Sequence, residues 1–103
     1  MGGVGKAPER KVSRQMQAIL MLAEYPMLDP ILNPVIDLEN ETVDFSEIDY
    51  GVLSGGGKAA ISWAHSIWAD KVIPGLRDPF DGFGVMNRDL QRLVLMALMH
   101  RWN

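Results

Sequence analysis

Cysteine is absent from the 103 residues of this sequence. Its absence excludes disulfide bonds, thiolate chemistry and cysteine-based zinc sites together. A small secreted scaffold held by disulfides is disfavoured for the same reason. We therefore expect an intracellular protein, with the cytoplasm as its location.

Long hydrophobic runs are absent as well. The longest apolar run, from Leu93 to Met99, has seven residues, whereas a membrane-spanning helix needs about 20. The first residues, MGGVGKAPERKVSR, contain no apolar segment of the kind that a signal peptide requires. The sequence therefore predicts neither export nor a membrane partner.

Basic residues are missing from the middle of the chain. Residues 15–57 contain no Lys or Arg, although residues 1–14 hold Lys6, Arg10, Lys11 and Arg14. A nucleic-acid-binding domain normally presents a basic face on its folded part. The acidic middle therefore argues against binding to duplex nucleic acid, except through the short N-terminal arm, and suits a basic partner surface better.

The chain is long enough for a single hydrophobic core. Residues 1–12, with three glycines and a proline, are predicted to form a flexible basic tail. Residues 13–103 are predicted to form one helical domain. The predicted fold class is mainly all-α, a small three- to four-helix domain with an acidic connector.

Three main helices are expected from apolar periodicity and capping residues. Ser13 can cap a first helix over 14–25, which Pro26 would end. A second helix is predicted over 57–72, ended by the Pro-Gly pair that follows, and Asn87 can cap a third that runs close to the last residue. The segment from 75 to 84, GLRDPFDGFG, reads as a turn-rich loop whose aromatic side chains, Phe80 and Phe83, tuck back onto the domain.

The connector over 27–52 leaves two alternatives open. Pro30 and Pro34 break any long element there, so the segment forms either an irregular acidic loop or a short β-hairpin between Val35 and Phe45. The loop is the preferred interpretation, because two isolated strands are barely stable without a sheet to join. The last part of the connector is better defined. Ser46 with Asp49 three residues later resembles a capping box, which predicts one or two helical turns over 47–53.

The third helix carries more apolar surface than one core can cover. A first face, expected in the core, is formed by Leu90, Leu93, Val94, Ala97 and Leu98. The second face lies near Arg92 on the helical wheel and consists of Leu95, Met96, Met99 and Trp102. Because Met adapts to irregular surfaces and Trp is enriched at binding hot spots, we expect this second face, together with Arg92, to be a protein interface.

The glycine-rich stretch before the second helix suggests an anion site. Leu53–Gly57, LSGGG, resembles the LSGGQ signature loop of ABC-type ATPases, and the resemblance implies phosphate contacts from Ser54, Gly55 and Gly56. The chain lacks a Walker A loop, so no ATPase is predicted. Amides at a helix start beside Lys58 are suited to an anion, but capping of the helix by Ser54 or a glycine is the favoured interpretation.

Catalytic machinery is not evident from the sequence. His65 and His100 stand on different predicted helices without metal-ligand spacing, and no nucleophile or cofactor loop is visible. We therefore expect no enzyme, no metal, no cofactor and no small-molecule substrate. The leading hypothesis is a non-enzymatic interaction module that pairs with itself or with another protein. The alternative is anion or nucleic-acid binding through the N-terminal arm and the SGGGK segment.

Overall fold

The computed structural model describes residues 12–71 and 79–102. Their elements are helices α1 (Arg14–Ala23), α2 (Asp29–Leu32), α3 (Gly55–Ala69), α4 (Pro79–Phe83) and α5 (Arg88–Trp102), and strands β1 (Ile36–Asp37) and β2 (Thr42–Val43). The predicted mainly helical fold is confirmed. The predicted tail, apart from Val12, and the Pro74-Gly75 pair lie outside the described residues.

Helix α1 begins where its capping residue predicts. The hydroxyl of Ser13 accepts a hydrogen bond from the amide of Met16 at 3.1 Å. The helix ends at Ala23, two residues before the predicted end. Tyr25 precedes Pro26 and donates its amide to the carbonyl of Leu22 at 3.1 Å, a tighter turn than an α-helix makes.

The connector contains the short hairpin, so the preferred prediction of an irregular loop is wrong for this part of the connector. β1 and β2 are antiparallel, with Ile36 opposite Val43 and Asp37 opposite Thr42. In the turn between them, the carboxylate of Asp37 accepts hydrogen bonds from the side-chain and backbone nitrogens of Asn40, and these bonds lower the pKa of Asp37. The turn thus satisfies its own polar groups while most of its residues remain exposed.

The capping box predicted after the hairpin is wrong. Two separate 3-10 turns form instead, over Phe45–Glu47 and Tyr50–Val52. Asp44 and Asp49 cap them, because each carboxylate accepts the amide two residues later, at 3.2 and 2.9 Å respectively. This local bond competes with the longer reach that a Ser46 cap would need. Phe45 and Ile48 are buried beneath these turns.

Helix α3 begins two residues before the predicted start and ends three residues before the predicted end. Ser54 accepts the amide of Gly57 at 3.1 Å, so the first two glycines belong to the first helical turn. At the other end Asp70 adopts a left-handed conformation, with φ of 63°, and ends the helix. The chain therefore leaves the helix before it reaches Pro74.

The loop predicted over 75–84 is wrong for its second half, since α4 occupies Pro79–Phe83. Pro at the first helical position costs no hydrogen bond, because that amide has no partner within the helix. Phe83 packs edge-on against Trp63, with ring centroids 6.0 Å apart and planes inclined by 71°. The side chain of Phe80 lies outside what the structure describes.

The core lies where α1, α3 and α5 meet, and α4 packs against α3. The largest fully buried side chains are Met16, Ile19, Leu22, Leu28, Leu32, Ile61, Leu90 and Val94. The C-terminal end of α3 is tied to both neighbouring helices. Gln15 Nε2 donates to the carbonyl of Trp68 at 2.9 Å, and Arg101 Nε donates to that of Ile67 at 2.7 Å. These bonds satisfy carbonyls that a helix end leaves free.

Candidate interaction surface on helix α5

Helix α5 is fixed at its start by Asn87, as predicted. Its side-chain oxygen accepts the amide of Leu90 at 2.8 Å, and its backbone carbonyl accepts that of Gln91 at 2.9 Å. From this cap, Leu90, Val94 and Ala97 point into the core and are fully buried. The rotation of the helix about its axis is therefore set by its apolar inner face.

The opposite face of α5 is apolar and exposed. The exposed fractions are 45% for Leu95, 50% for Met96, 65% for Met99 and 61% for Trp102. These are four of the seven large hydrophobic side chains that are exposed in the described part of the chain. Because residues three and four apart share one side of a helix, they form a continuous surface, which we call the apolar stripe.

Arg92 extends the apolar stripe toward the start of the helix. It is exposed and stands three residues before Leu95 and four before Met96, on the same side of α5. The structure thus brings together all five residues that the sequence singled out as an interface. An Arg beside Met and Trp is a composition enriched at protein interfaces.

A shallow depression borders the apolar stripe on its α1 side. It has a volume of about 230 Å³ and is lined by Met21, Met96, Met99 and His100. Met21 and His100 were not among the predicted interface residues. Their position depends on how α1 packs against α5, which periodicity along either helix does not reveal.

Polar bonds between α1 and α5 hold the wall of this depression. His100 Nε2 and Gln17 Oε1 form a hydrogen bond, and Arg14 Nη1 donates to the carbonyl of His100 at 3.4 Å. The second bond also satisfies a carbonyl in the last turn of α5. The depression therefore lies between two helices that are joined at this end.

Trp102 is held at the end of the apolar stripe by its neighbour. The guanidinium carbon of Arg101 lies 4.6 Å from the centroid of the indole ring, a cation–π contact. Arg101 is itself bonded to the carbonyl of Ile67 on α3. The ring is thereby kept beside an anchored cation, although more than half of the side chain remains accessible to solvent.

The second predicted site, at the start of α3, is a helix cap in this structure. The hydroxyl of Ser54 accepts the amide of Gly57 and lies 3.8 Å from the sulfur of Met27. A Cβ added to Gly56 would lie 3.4 Å from the carbonyl oxygen of Val85, so the absence of a side chain lets the two segments approach. Lys58 is exposed beside this turn, as is Gly55. The predicted cap at Ser54 is confirmed, and the anion site at this helix start stays a prediction.

His65 lies in an environment that the sequence did not reveal. Its ring stacks on Phe45, with centroids 4.2 Å apart and planes within 6°. Its Nδ1 is buried and has no hydrogen-bond partner in the described residues. Burial lowers the pKa of His65 below its ordinary value of 6.5. The side chain therefore acts as a neutral aromatic packing group.

Within residues 12–71 and 79–102, no three side chains of the His, Asp and Glu types converge on a point where a metal ion could bind. None of the helices there combines the length and the apolar character that crossing a bilayer requires. Comparison of the chain with protein-family models, with curated proteins and with solved structures finds no match.

Proposed function

We propose that this chain is a non-enzymatic protein–protein interaction module that binds its partner through the apolar stripe of α5. The observation that carries the proposal is the exposure of Leu95, Met96, Met99 and Trp102 side by side on one ordered helix. Monomeric soluble proteins rarely leave contiguous apolar patches uncovered unless they are binding sites. The stripe therefore lies where a partner surface would remove it from water.

The composition of the stripe supports the same function. Met96 and Met99 have flexible, polarizable side chains that can fit an irregular partner surface. Trp102 and Arg92, at its two ends, belong to the residue types in which binding energy is most often concentrated. The depression beside Met21 is a recess next to the stripe, into which a partner side chain can insert.

The proposal includes no catalysis and no cofactor, since the stripe supplies contact area and no reactive group. It also places the protein in the cytoplasm, because a chain without cysteine forms no disulfide bonds and therefore does not require an oxidising compartment. An adaptor, an inhibitor and an assembly factor would each use such a surface.

The proposal is tested by introducing charged side chains into the apolar stripe and measuring whether association is lost. The full-length tagged chain would be expressed in the host that carries the gene and crosslinked in the cell. Discrete crosslinked species, whether with itself or with another protein, would then be separated by mass. We expect one such species for the unaltered chain and a decrease of about tenfold or more for the double variant Met96→Glu, Met99→Glu, because a buried unpaired carboxylate opposes docking.

Val52→Glu is the matched control. Val52 is 69% exposed and lies in the 3-10 turn Tyr50–Val52 rather than on α5, so a charge there should leave the crosslinked species in place. Circular dichroism establishes that all variants retain their helices. A species that survives the double charge change, or the absence of any discrete species, would overturn the proposed function.

A further inference from the structure

We propose that the depression between α1 and α5 binds a soft monovalent metal ion, Cu(I), through three thioether sulfurs and one imidazole nitrogen. The ligands are the four residues that line the depression, Met21, Met96, Met99 and His100. The sequence-based expectation of no metal considered the two histidines and left the thioethers aside. The ion is additional to the protein partner proposed above, and neither requires the other.

Three of the four ligands come from one side of α5. Met96 and Met99 stand three residues apart, and Met96 and His100 stand four apart, so the three side chains share one face of the helix. Met21 comes from α1, which packs against α5. The packing of the two helices therefore adds a third thioether to a set that one helix already supplies, as in metal sites built between facing helices.

The hydrogen bonds of Gln17 decide which nitrogen of His100 can act as a ligand. Gln17 Nε2 donates to the carbonyl of Val12 at 2.9 Å, and Gln17 Oε1 is the atom bonded to His100 Nε2. Because an amide oxygen can only accept, His100 Nε2 must carry the proton. The lone pair of the neutral ring is then on Nδ1, which makes no hydrogen bond within the described residues.

This is the arrangement that a metal-binding histidine requires. Such a histidine usually donates its second ring N–H to an oxygen atom, which fixes the tautomer and orients the ring. Gln17 supplies that oxygen and lies four residues before Met21, so α1 carries both a ligand and the group that positions the imidazole. Arg14 also holds the backbone of His100, donating to its carbonyl at 3.4 Å. The imidazole is therefore positioned before an ion binds.

The donor atoms select the kind of ion. Thioether sulfur is a soft ligand that favours Cu(I), and imidazole also binds copper, whereas Mg²⁺ and Ca²⁺ prefer oxygen. The chain has no cysteine, so no thiolate within it competes for a soft ion. The four ligands are neutral, and the guanidinium of Arg14 is bonded to one of them. A dication would therefore meet no compensating carboxylate among the lining residues, which favours a monovalent ion.

The ligands are accessible from solvent, unlike other methionines of the described chain. Met96 and Met99 are 50% and 65% exposed, whereas Met16 and Met86 are buried in the core. Met27 is half-buried and lies beside the start of α3. Because the methionine side chain is flexible and polarizable, the sulfurs in the depression can turn toward a bound ion without a change in the backbone.

Competition with a coloured Cu(I) chelator tests the site on the full chain. Cu(I) is kept reduced by ascorbate under argon, and the loss of colour measures its transfer to the protein. We expect one equivalent to bind. The double variant Met96→Leu, Met99→Leu should bind Cu(I) about tenfold more weakly or worse, because leucine keeps the apolar volume but lacks the sulfur. Zn(II) at the same concentrations should not bind, since thioethers are poor ligands for it.

Two further variants serve as controls for the assignment of the ligands. Met27→Leu removes a half-buried thioether outside the depression and should bind Cu(I) as the unaltered chain does. His100→Gln keeps an N–H that can donate to Gln17 but lacks the Nδ1 lone pair, so its affinity should fall by about tenfold. Circular dichroism establishes that all variants retain their helices.

Silver(I) identifies the ligands directly, because it is a soft ion of the same charge that undergoes no redox change here. In a chain with isotope-labelled methionine methyl groups, Ag(I) should shift the resonances of Met21, Met96 and Met99 and leave those of Met16 and Met86 in place. This measurement uses the unaltered chain and does not depend on the folding of any variant. Shifts confined to other methionines would overturn the site.

The outcomes separate the ion site from the proposed function. Leucine at Met96 and Met99 keeps the stripe apolar, so association should persist while Cu(I) binding is lost. If the unaltered chain fails to take Cu(I) from the chelator, the ion site is overturned, and the proposed function stands on the glutamate variants. Equal Cu(I) binding by the leucine variant, or Zn(II) bound as tightly as Cu(I), also overturns the site. Cu(I) binding that the leucine variant loses supports the site even if no partner is crosslinked.

Discussion

The ring of His65 lies flat on that of Phe45, with centroids 4.2 Å apart and planes within 6° of parallel. This stack joins helix α3 to the 3-10 turn at Phe45–Glu47, twenty residues earlier in the sequence. Because the contact buries one ring nitrogen without a hydrogen-bond partner in the described residues, the imidazole is stacked in its neutral form.

Stability should consequently depend on the protonation of His65. Burial lowers its pKa in the folded state below the ordinary value of 6.5, so the unfolded chain binds a proton at a higher pH than the folded chain does. This contribution to the free energy of unfolding is present above about pH 6.5 and decreases as the pH falls toward the folded-state pKa. Urea unfolding between pH 7.5 and pH 5.5 measures it.

His65→Phe provides the control for this pH dependence, since it keeps an aromatic ring against Phe45 but cannot be protonated. The variant should lose less stability than the unaltered chain over the same pH range. Equal slopes for the two proteins would contradict the assignment of this pH dependence to His65.

Two leucines on opposite faces of α5 should differ sharply in their effect on stability. Leu90→Ala removes a fully buried side chain and should cost about 2–5 kcal/mol, because it creates a cavity. Leu95→Ala, in the apolar stripe, should change the stability of the monomer by less than about 0.5 kcal/mol. Denaturant unfolding of dilute protein compares them, and similar losses would contradict the assignment of the two faces.

The cap of α3 should contribute measurably to folding. Ser54→Ala removes the acceptor of the Gly57 amide and should destabilise the protein by about 1 kcal/mol. Ser54→Asp restores an acceptor and adds a negative charge where the helix dipole favours it, so its stability should equal or exceed that of the unaltered chain. Thermal unfolding monitored by circular dichroism measures both variants. An alanine variant as stable as the unaltered chain would contradict a stabilising cap.

The features that local sequence determines were predictable. Ser13, Ser54 and Asn87 each accept an amide three residues later, and that geometry depends only on the residues of one turn. The exposed face of α5 was also predictable, because Leu90 and Val94 occupy one side of the helix and Met96 and Met99 the other.

Features that depend on contacts between distant segments were not predictable in this way. The stack of His65 on Phe45 and the position of Met21 beside Met96 both require the packing of separate elements. Helix α4 is too short to be stable alone, and Phe83 packs against Trp63 from α3. Asp44 and Asp49 formed their own short turns where a serine cap was expected, since both capping modes use similar residue types.

Oxidation should distinguish the methionines of the apolar stripe from those of the core. Met99 and Met96 are 65% and 50% exposed, whereas Met16 and Met86 are buried, and a peroxide must reach the sulfur to oxidise it. With dilute hydrogen peroxide, peptide mass spectrometry should therefore detect sulfoxide at Met99 and Met96 well before it appears at Met16 or Met86. Because the sulfoxide is polar, association through the stripe should weaken at this stage while helical content is retained.

Leu replacements at Met96 and Met99 cannot be oxidised and should make association resistant to peroxide. If association were lost equally in the leucine variant, oxidation elsewhere in the chain would be responsible and the stripe would not be the sensitive surface.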